Sequence, residues 1–340
     1  MNSSRNTTKL CDIAAAAGCS VATISNAVNG RGRMSEETRR EILRLCAEMN
    51  FVPNSAGRSL RLRRADAVGV IYAPSFSELF GNVFYARIME GMAEAFGRAG
   101  MDLVLGHRMA ANGVPEIVKQ GKVDALVVLA GVFERETFGI LRDCPVPVCL
   151  VDGHDESLRA DSLTTDGFGG GRLVAGHLVE HGHREVLMVA YATPLYNIEQ
   201  RIAGFLAGLR DAGMDAPAER VVVRVANDDG AVIQVLGRMR QAQPPTAVFA
   251  VNDTLAQHLV TTLTAAGVKI PEEMSVVGFD DDPLAARCVP PLTPVGIAKR
   301  DLGAISAKMV LERLRAPGQP PCHQVQPTHL VIRDSVATLK

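Results

Sequence analysis

The sequence contains no tryptophan, and aromatic residues make up only 4% of its 340 positions. Any ring bound by this chain must therefore stack on Phe or Tyr. No segment approaches the roughly 18 uninterrupted apolar residues of a membrane-spanning helix, and the opening MNSSRNTTKLCD lacks the apolar core of a signal peptide. The expected location is the cytoplasm, with no membrane partner. The seven cysteines (Cys11, Cys19, Cys46, Cys144, Cys149, Cys288 and Cys322) are scattered and never spaced C-x-x-C, which favours free thiols over a disulfide framework or a zinc site. GFGGGR after Asp166 lacks the spacing and lysine of a phosphate loop and reads as the start of a helix packed closely on its sheet. His177, His181 and His183 fall at a helix end, where a structural role is expected. No Ser/His/Asp or Cys/His constellation is supported by its surroundings, so neither an enzyme nor a cofactor or metal is expected.

What is present is divided unevenly. At 340 residues and 47% apolar composition the chain is globular and too long for one ordinary core. The net charge of -1 conceals a basic head: residues 1–64 hold eleven Lys/Arg against five acids, and the remainder holds 25 against 32. A small basic head on a larger acidic body suggests nucleic acid for the head and another kind of partner for the body.

The head reads as three short helices, Leu10 to Ala17, Val21 to Asn29 and Ser35 to Asn50, with Ser20 and Ser35 as N-caps. Pro53 ends this pattern, and NSAGRSLRLRR follows as a short basic helix too marginal to stand alone in water. From Asp66 onward apolar strands alternate with amphipathic helices. The strands are AVGVIYA, MDLVLG, VDALVVLAG, VPVCLVD, EVLMVAYA, RVVVRV, TAVFAV and MSVVGFD. Near-continuous Val/Leu/Ile runs between helices mean parallel sheets covered on both faces, and about 275 residues of this pattern predict two lobes with a cleft between them.

Within the head, DIAAAAGCSVATISNAVNG has the spacing of a helix-turn-helix. Ala14 is small enough for a close helix crossing, Gly18 supplies a left-handed turn, and Ile13, Ala17, Ile24 and Val28 face inward. Val21, Ala22, Ser25, Asn26 and Asn29 remain outward, short side chains suited to a major groove.

IAAAAGCSVATISNAVN, SEETR and FVPNSAGRSL, followed by HLVEHGHREV, RIAGF, AVNDTLA, MSVVGFDDDPLAA and PPLTPV, resemble, in order, the blocks of the lactose repressor family of bacterial transcription regulators. The resemblance covers nearly the whole chain. It implies a helix-turn-helix domain over 1–52, a hinge helix over 53–65 and a bilobed, periplasmic-binding-protein-like core over 66–340. Lobe one is expected over about 66–160 and 293–322, lobe two over about 161–292 and 323–340. DNA contacts are then expected from Leu10, Ser20, Val21, Ala22, Thr23, Ser25, Asn26, Asn29 and Arg33 in the head, and from Asn54, Ala56, Gly57, Arg58 and Leu60 in the hinge, where Leu60 would wedge between base pairs. The family commonly has Arg at the position of Asn26. Asn favours adenine where Arg favours guanine, so the operator is expected to differ at that base pair. Gly57 stands where Ala is usual, and Lys9 where a capping Thr is often found, leaving Thr8 as the expected cap.

The resemblance also places a small molecule between the lobes, at the carboxyl ends of strands. Asp152, Arg201, Asn252, Asp253 and Asp280, with Phe84 and Tyr85 as stacking rings, are the expected effector contacts; carboxylates, an amide and a guanidinium suit sugar hydroxyls. The expectation is a repressor of sugar-utilisation genes that binds a pseudo-palindromic operator as a homodimer, since VIRDSVATLK carries no leucine-heptad tail, and that is released by a sugar-like effector. A purine- or nucleoside-responsive co-repressed regulator is the alternative within the same architecture. A stand-alone sugar-binding protein is the alternative from another class.

Overall fold

The computed structural model describes residues 8–28, 30–51, 64–72, 79, 81–106, 114–132, 138–139, 141–214 and 217–339. The chain divides into two compact units, residues 1–64 and 65–340. The expected hinge residues Asn54, Ala56, Gly57, Arg58 and Leu60, and Asn29 in the head, lie outside the described residues.

The head contains α1 (Leu10–Ala17), α2 (Val21–Val28) and α3 (Glu36–Glu48). Its core is small: Ile13, Ala14, Ile24, Ala27, Ile42 and Cys46 are buried together. Gly18 ends α1 at φ 61°, the left-handed conformation the turn requires. Ser20 Oγ accepts from the Thr23 amide at 3.1 Å and Ser35 Oγ from the Thr38 amide at 3.1 Å, so both serines cap as the sequence suggests. Thr8 does not cap α1. Its hydroxyl donates to the Met49 carbonyl at 2.8 Å, tying the start of the head to the end of α3, and the Asp12 carboxylate covers the Lys9 amide at 2.8 Å.

The larger unit holds two six-stranded sheets. The first is built from β1 (Ala67–Ile71), β2 (Asp102–Gly106), β3 (Ala125–Leu129), β4 (Val148–Val151), β5 (Asp161–Thr165) and β11 (His323–Gln326), in the order β11-β5-β4-β3-β1-β2 and parallel throughout. The second is built from β6 (Val186–Tyr191), β7 (Val222–Val225), β8 (Ala247–Ala250), β9 (Ser275–Asp280), β10 (Thr293–Gly296) and β12 (His329–Leu330), in the order β12-β10-β9-β8-β6-β7, with only β12 antiparallel. The lobe boundaries expected from sequence are corrected here. Residues 161–165 and 323–326 pair inside sheet one, and residues 293–296 pair with β9 in sheet two. Hydrogen-bond pairing, which composition does not reveal, moves each crossing by several residues, to near 166, 297–298 and 327–328.

Helices pack on these sheets through close crossings. In lobe one, α4 (Val83–Arg98) meets α11 (Lys299–Arg315): a Cβ on Gly91 would fall 2.0 Å from the Arg300 carbonyl oxygen. In lobe two, α6 (Gly167–Glu180) meets α7 (Tyr196–Asp211) in the same way, with Gly204 against the Phe168 backbone. The glycine-rich start of α6 therefore serves two contacts: Gly170 lies against the Phe279 ring of sheet two and Gly171 against the backbone of α7. The remaining helices are α5 (Glu116–Lys119), α8 (Ala218–Val221), α9 (Asp228–Met239) and α10 (Asp253–Ala265). At the end of α6 two histidines are tied into the fold: His183 bonds Thr246 Oγ1 at 2.8 Å and the Ala337 carbonyl at 3.1 Å, and His181 Nδ1 lies 2.8 Å from the His177 carbonyl, with the His177 ring beside that of His181, centroids 4.1 Å apart. All seven cysteines are free thiols. Among the described residues no single helix is long and apolar enough to cross a membrane.

Candidate functional site: a polar cleft between lobes and an exposed helix face on the head

Parallel strands deliver polar residues at their carboxyl ends, and here both sheets deliver them to one place. Lobe one contributes Asp152, directly after β4, together with Tyr85 in the first turn of α4. Lobe two contributes Asn197 and Arg201, one helical turn apart on α7, and Asp280 at the end of β9. Asp152 Oδ2 accepts from the Tyr85 hydroxyl at 3.2 Å and from Asn197 Nδ2 at 3.0 Å, so this carboxylate is shared between the lobes. Arg201 donates to the Val251 carbonyl at 2.5 Å and to Asp280 Oδ1 at 3.1 Å, and its guanidinium stacks 3.8 Å from the centre of the Phe279 ring.

The backbone at these strand ends is unusual. Asp152 has φ 64°, Asp280 φ 113° and Asp281 φ 55°, three of the five non-glycine residues with positive φ among the described residues. Non-glycine residues in this region tend to cluster at ligand sites. The charges are also unusual. Burial pushes the Asp152 carboxyl up to about 6, against the opposing pull of Arg201, Tyr85 and Asn197. Burial likewise raises Asp280 to about 7, although Arg201 and Lys299 both favour its charged form. Among the described residues six buried side-chain atoms lack a hydrogen-bond partner, and two of them, Asp152 Oδ1 and Arg201 Nε, belong to the groups brought together here. One is an acceptor and the other a donor, so a hydroxyl, which does both, satisfies either.

Of the residues expected at this site, Asp152, Arg201, Asp280 and Tyr85 come together. Phe84 is buried and edge-on to Tyr85 at 5.1 Å, and Tyr72 meets Tyr85 edge-on at 5.2 Å. Asn252 and Asp253 are engaged elsewhere. Asn252 Oδ1 caps α10 through the Leu255 amide at 2.9 Å, and Asp253 Oδ2 accepts from the Asp282 amide at 2.7 Å, while Asp253 Oδ1 lies toward Gly278, buried without a hydrogen-bond partner. Asn197 and Lys299 were not anticipated. Asn197 carries a legible signal, four residues before Arg201 and thus on the same helix face. Lys299 carries none, since nothing near it in sequence marks the cleft. Among the described residues no group of three or more His, Cys, Asp or Glu is arranged to hold a metal ion.

On the head, Ser20, Val21, Ala22 and Arg33 are exposed, and Thr23, Ser25 and Asn26 are half-buried. Leu10 is half-buried against the head core. Ser20 faces Thr23, their hydroxyls 2.9 Å apart, so it serves the α2 cap. The Asn26 side chain lies against Gly32, within 3.2 Å of where a Cβ on that glycine would sit, and the Arg31 amide bonds the Asn26 carbonyl at 2.8 Å.

Comparison with known proteins agrees with both regions. Residues 9–54 match the family described as bacterial regulatory proteins, lacI family, and residues 175–336 match a periplasmic binding protein-like domain. The HTH-type transcriptional repressor PurR of Photobacterium profundum is 26% identical over 333 residues, covering 96% of this chain and 98% of the relative. The ribose operon repressor of Haemophilus influenzae is 27% identical over 335 residues, covering 97% and 98%. The solved complex of the transcriptional regulator CelR with cellobiose superimposes with a TM-score of 0.71 at 27% identity, covering 96% of this chain and 99% of that one. A helix-turn-helix head, a two-lobed parallel-sheet core and end-to-end similarity to such regulators lead to one assignment: this chain belongs to the lacI family of bacterial regulatory proteins.

Proposed function

We propose that this protein is a DNA-binding transcriptional repressor whose operator affinity is set by a polyhydroxylated effector bound between the lobes. The observation that carries the effector class is the pair of buried, unpartnered atoms Asp152 Oδ1 and Arg201 Nε, an acceptor and a donor in one cleft. A sugar, with several hydroxyls that each donate and accept, fits that pair, and ribose and cellobiose are named for similar regulators. The head reads its operator as one half of a homodimer on a pseudo-palindrome, with α2 in the major groove and Val21, Ala22, Ser25 and Asn26 toward the bases. Arg33 and, in the hinge, Asn54, Ala56, Gly57, Arg58 and Leu60 complete the DNA contacts. Such a regulator works in the cytoplasm on the nucleoid and releases its effector unchanged, without catalysis.

The second reading is a purine effector acting as co-repressor. PurR among the relatives favours it, as does the aromatic group Tyr72, Phe84 and Tyr85 beside Asp152. A thermal-shift screen of ribose, cellobiose, sugar acids, guanine and hypoxanthine, repeated with operator DNA, separates the two. A sugar that stabilises the free protein and releases DNA supports the first reading. A purine that stabilises the protein and strengthens DNA binding replaces it. Stabilisation by none of them removes the cleft assignment.

A further inference from the structure

Lys299 is the first residue of α11, where its charge opposes the positive end of the helix dipole, and it is only 7% exposed. A buried cation in so unfavourable a place must be compensated by what it bonds. Its ammonium donates to the carbonyl of Asp280 and, at 3.2 Å, to that of Asp281, and it lies 3.2 Å from Asp282 Oδ1. The two carbonyls and the carboxylate lie at and just after the end of β9 in lobe two. Lys299 itself belongs to lobe one, because α11 packs on α4, β3, β4 and β5.

The turn it grips is conformationally demanding. Asp280, at φ 113°, is beyond the left-handed basin that aspartate tolerates, and Asp281 follows at φ 55°. Arg333 holds Asp281 Oδ1 at 2.6 Å, and Asp253 holds the Asp282 amide at 2.7 Å. Those two anchors come from lobe two, so they travel with the turn. Lys299 is the anchor that reaches across from lobe one. With two carbonyl acceptors and a carboxylate ion-pair partner around it, the ammonium is committed to this turn. The Asp280 carboxylate that the turn presents to Arg201 also faces Asp282 and Asp152, and it loses a favourable charge whenever Lys299 withdraws.

We propose that Lys299 is a positioning residue that makes the Asp280 turn, and with it the Asp280–Arg201 pair, depend on the arrangement of the two lobes. With the lobes as they stand, the ammonium holds the carbonyls of Asp280 and Asp281 and the carboxylate meets Arg201. When the lobes separate, the ammonium leaves, the turn relaxes toward ordinary backbone angles, and the effector contact is dismantled. Effector binding and lobe geometry are thereby one equilibrium. The inference rests on the cleft being the effector site for its meaning, but its physical content is independent of any ligand.

The test uses the intact, ligand-free protein and compares wild type with Lys299→Met and Lys299→Arg. Hydrogen exchange is followed at the Asp282 amide and in peptides spanning 278–286, with the Leu255 amide and the head as internal controls. In parallel, the Asp280 carboxyl is titrated by carbon-13 NMR, its signal assigned by loss in Asp280→Asn. The expected result for Lys299→Met is exchange at least ten-fold faster in the turn, unchanged controls, and an Asp280 titration midpoint displaced upward. Lys299→Arg, which keeps charge and donors, should stay near wild type. Unchanged exchange and titration in Lys299→Met overturn the proposal, as does exchange accelerated uniformly through both lobes, or Lys299→Arg behaving as Lys299→Met. If no sugar or purine stabilises the wild type while the exchange and titration results hold, the effector reading fails and the role of Lys299 stands.

Discussion

Replacing Asp152 by Asn should stabilise the effector-free protein at pH 8 and destabilise it at pH 4.5. The carboxyl is buried and raised from 3.8 to about 6 in the folded protein, so folding binds a proton between those values. Stability from this group is greatest when it is protonated. It falls as pH rises through that window and is flat above about 6. A shift of two units corresponds to about 3 kcal/mol. Asn is neutral at every pH and keeps an oxygen to accept from Tyr85 and Asn197, which removes this loss. It also places an NH2 group where Asp152 Oδ1 now has no partner, at a constant cost of about 1–2 kcal/mol. The net is a gain of roughly 1–2 kcal/mol at pH 8, and at pH 4.5, where the wild-type carboxyl has given up only about 1 kcal/mol, a loss of up to about 1 kcal/mol. Urea denaturation of the intact protein from pH 4.5 to 8 reads the difference directly. A difference between variant and wild type that does not vary with pH would refute the burial argument. The same variant should lose effector response, because Asp152 supplies the acceptor in the cleft; stability and function are opposed at this residue.

Three further outcomes are expected. Gly204→Ala should cost about 2–3 kcal/mol in thermal melts, since its Cβ would fall 1.9 Å from the Phe168 carbonyl oxygen, whereas Gly176→Ala, with nothing within 4 Å, should gain about 0.5–1 kcal/mol. Ile24→Ala removes a fully buried side chain from a core of only six buried residues, so about 2–5 kcal/mol should unfold the head and abolish operator binding while the melt of the larger unit is unchanged. Selection of binding sites from random DNA should yield adenine at one half-site position with wild type and guanine with Asn26→Arg, and identical preferences would remove Asn26 from base reading.

Eight strands were legible because each is an apolar run bounded by polar residues. The four that were not, DSLTT, TPVG, HQVQ and HL, are polar, short or interrupted by proline. They flank the places where the chain passes between lobes, and they are held by partners rather than by their own hydrophobicity. Ser162 on β5 is 1% exposed, yet its hydroxyl is shared at 2.8 Å with His154 and at 2.8 Å with His323. Asp161 beside it is clamped by Arg313, more than 150 residues away, at 2.6 and 2.9 Å. A polar side chain in a buried strand looks like a loop until its distant partner is known, which is why the lobe boundaries were misplaced at these strands and not at the apolar ones.

The cleft shows the same limit at finer scale. A polar residue just past an apolar strand is what both a ligand contact and a helix cap require, so Asp152, Asn252, Asp253 and Asp280 are equivalent in sequence. The backbone separates them. Asn252, at φ -150°, turns its oxygen onto the next helix, while Asp152 and Asp280, at positive φ, turn theirs into the space between lobes. That choice depends on what holds each turn. For Asp280 the holder is a lysine on the other lobe, placed where helix electrostatics disfavour it. A residue that violates a local rule and is fully bonded by its surroundings reports a constraint set by the tertiary structure. Lys299 is therefore invisible to sequence patterns for the same reason that it can couple the two lobes.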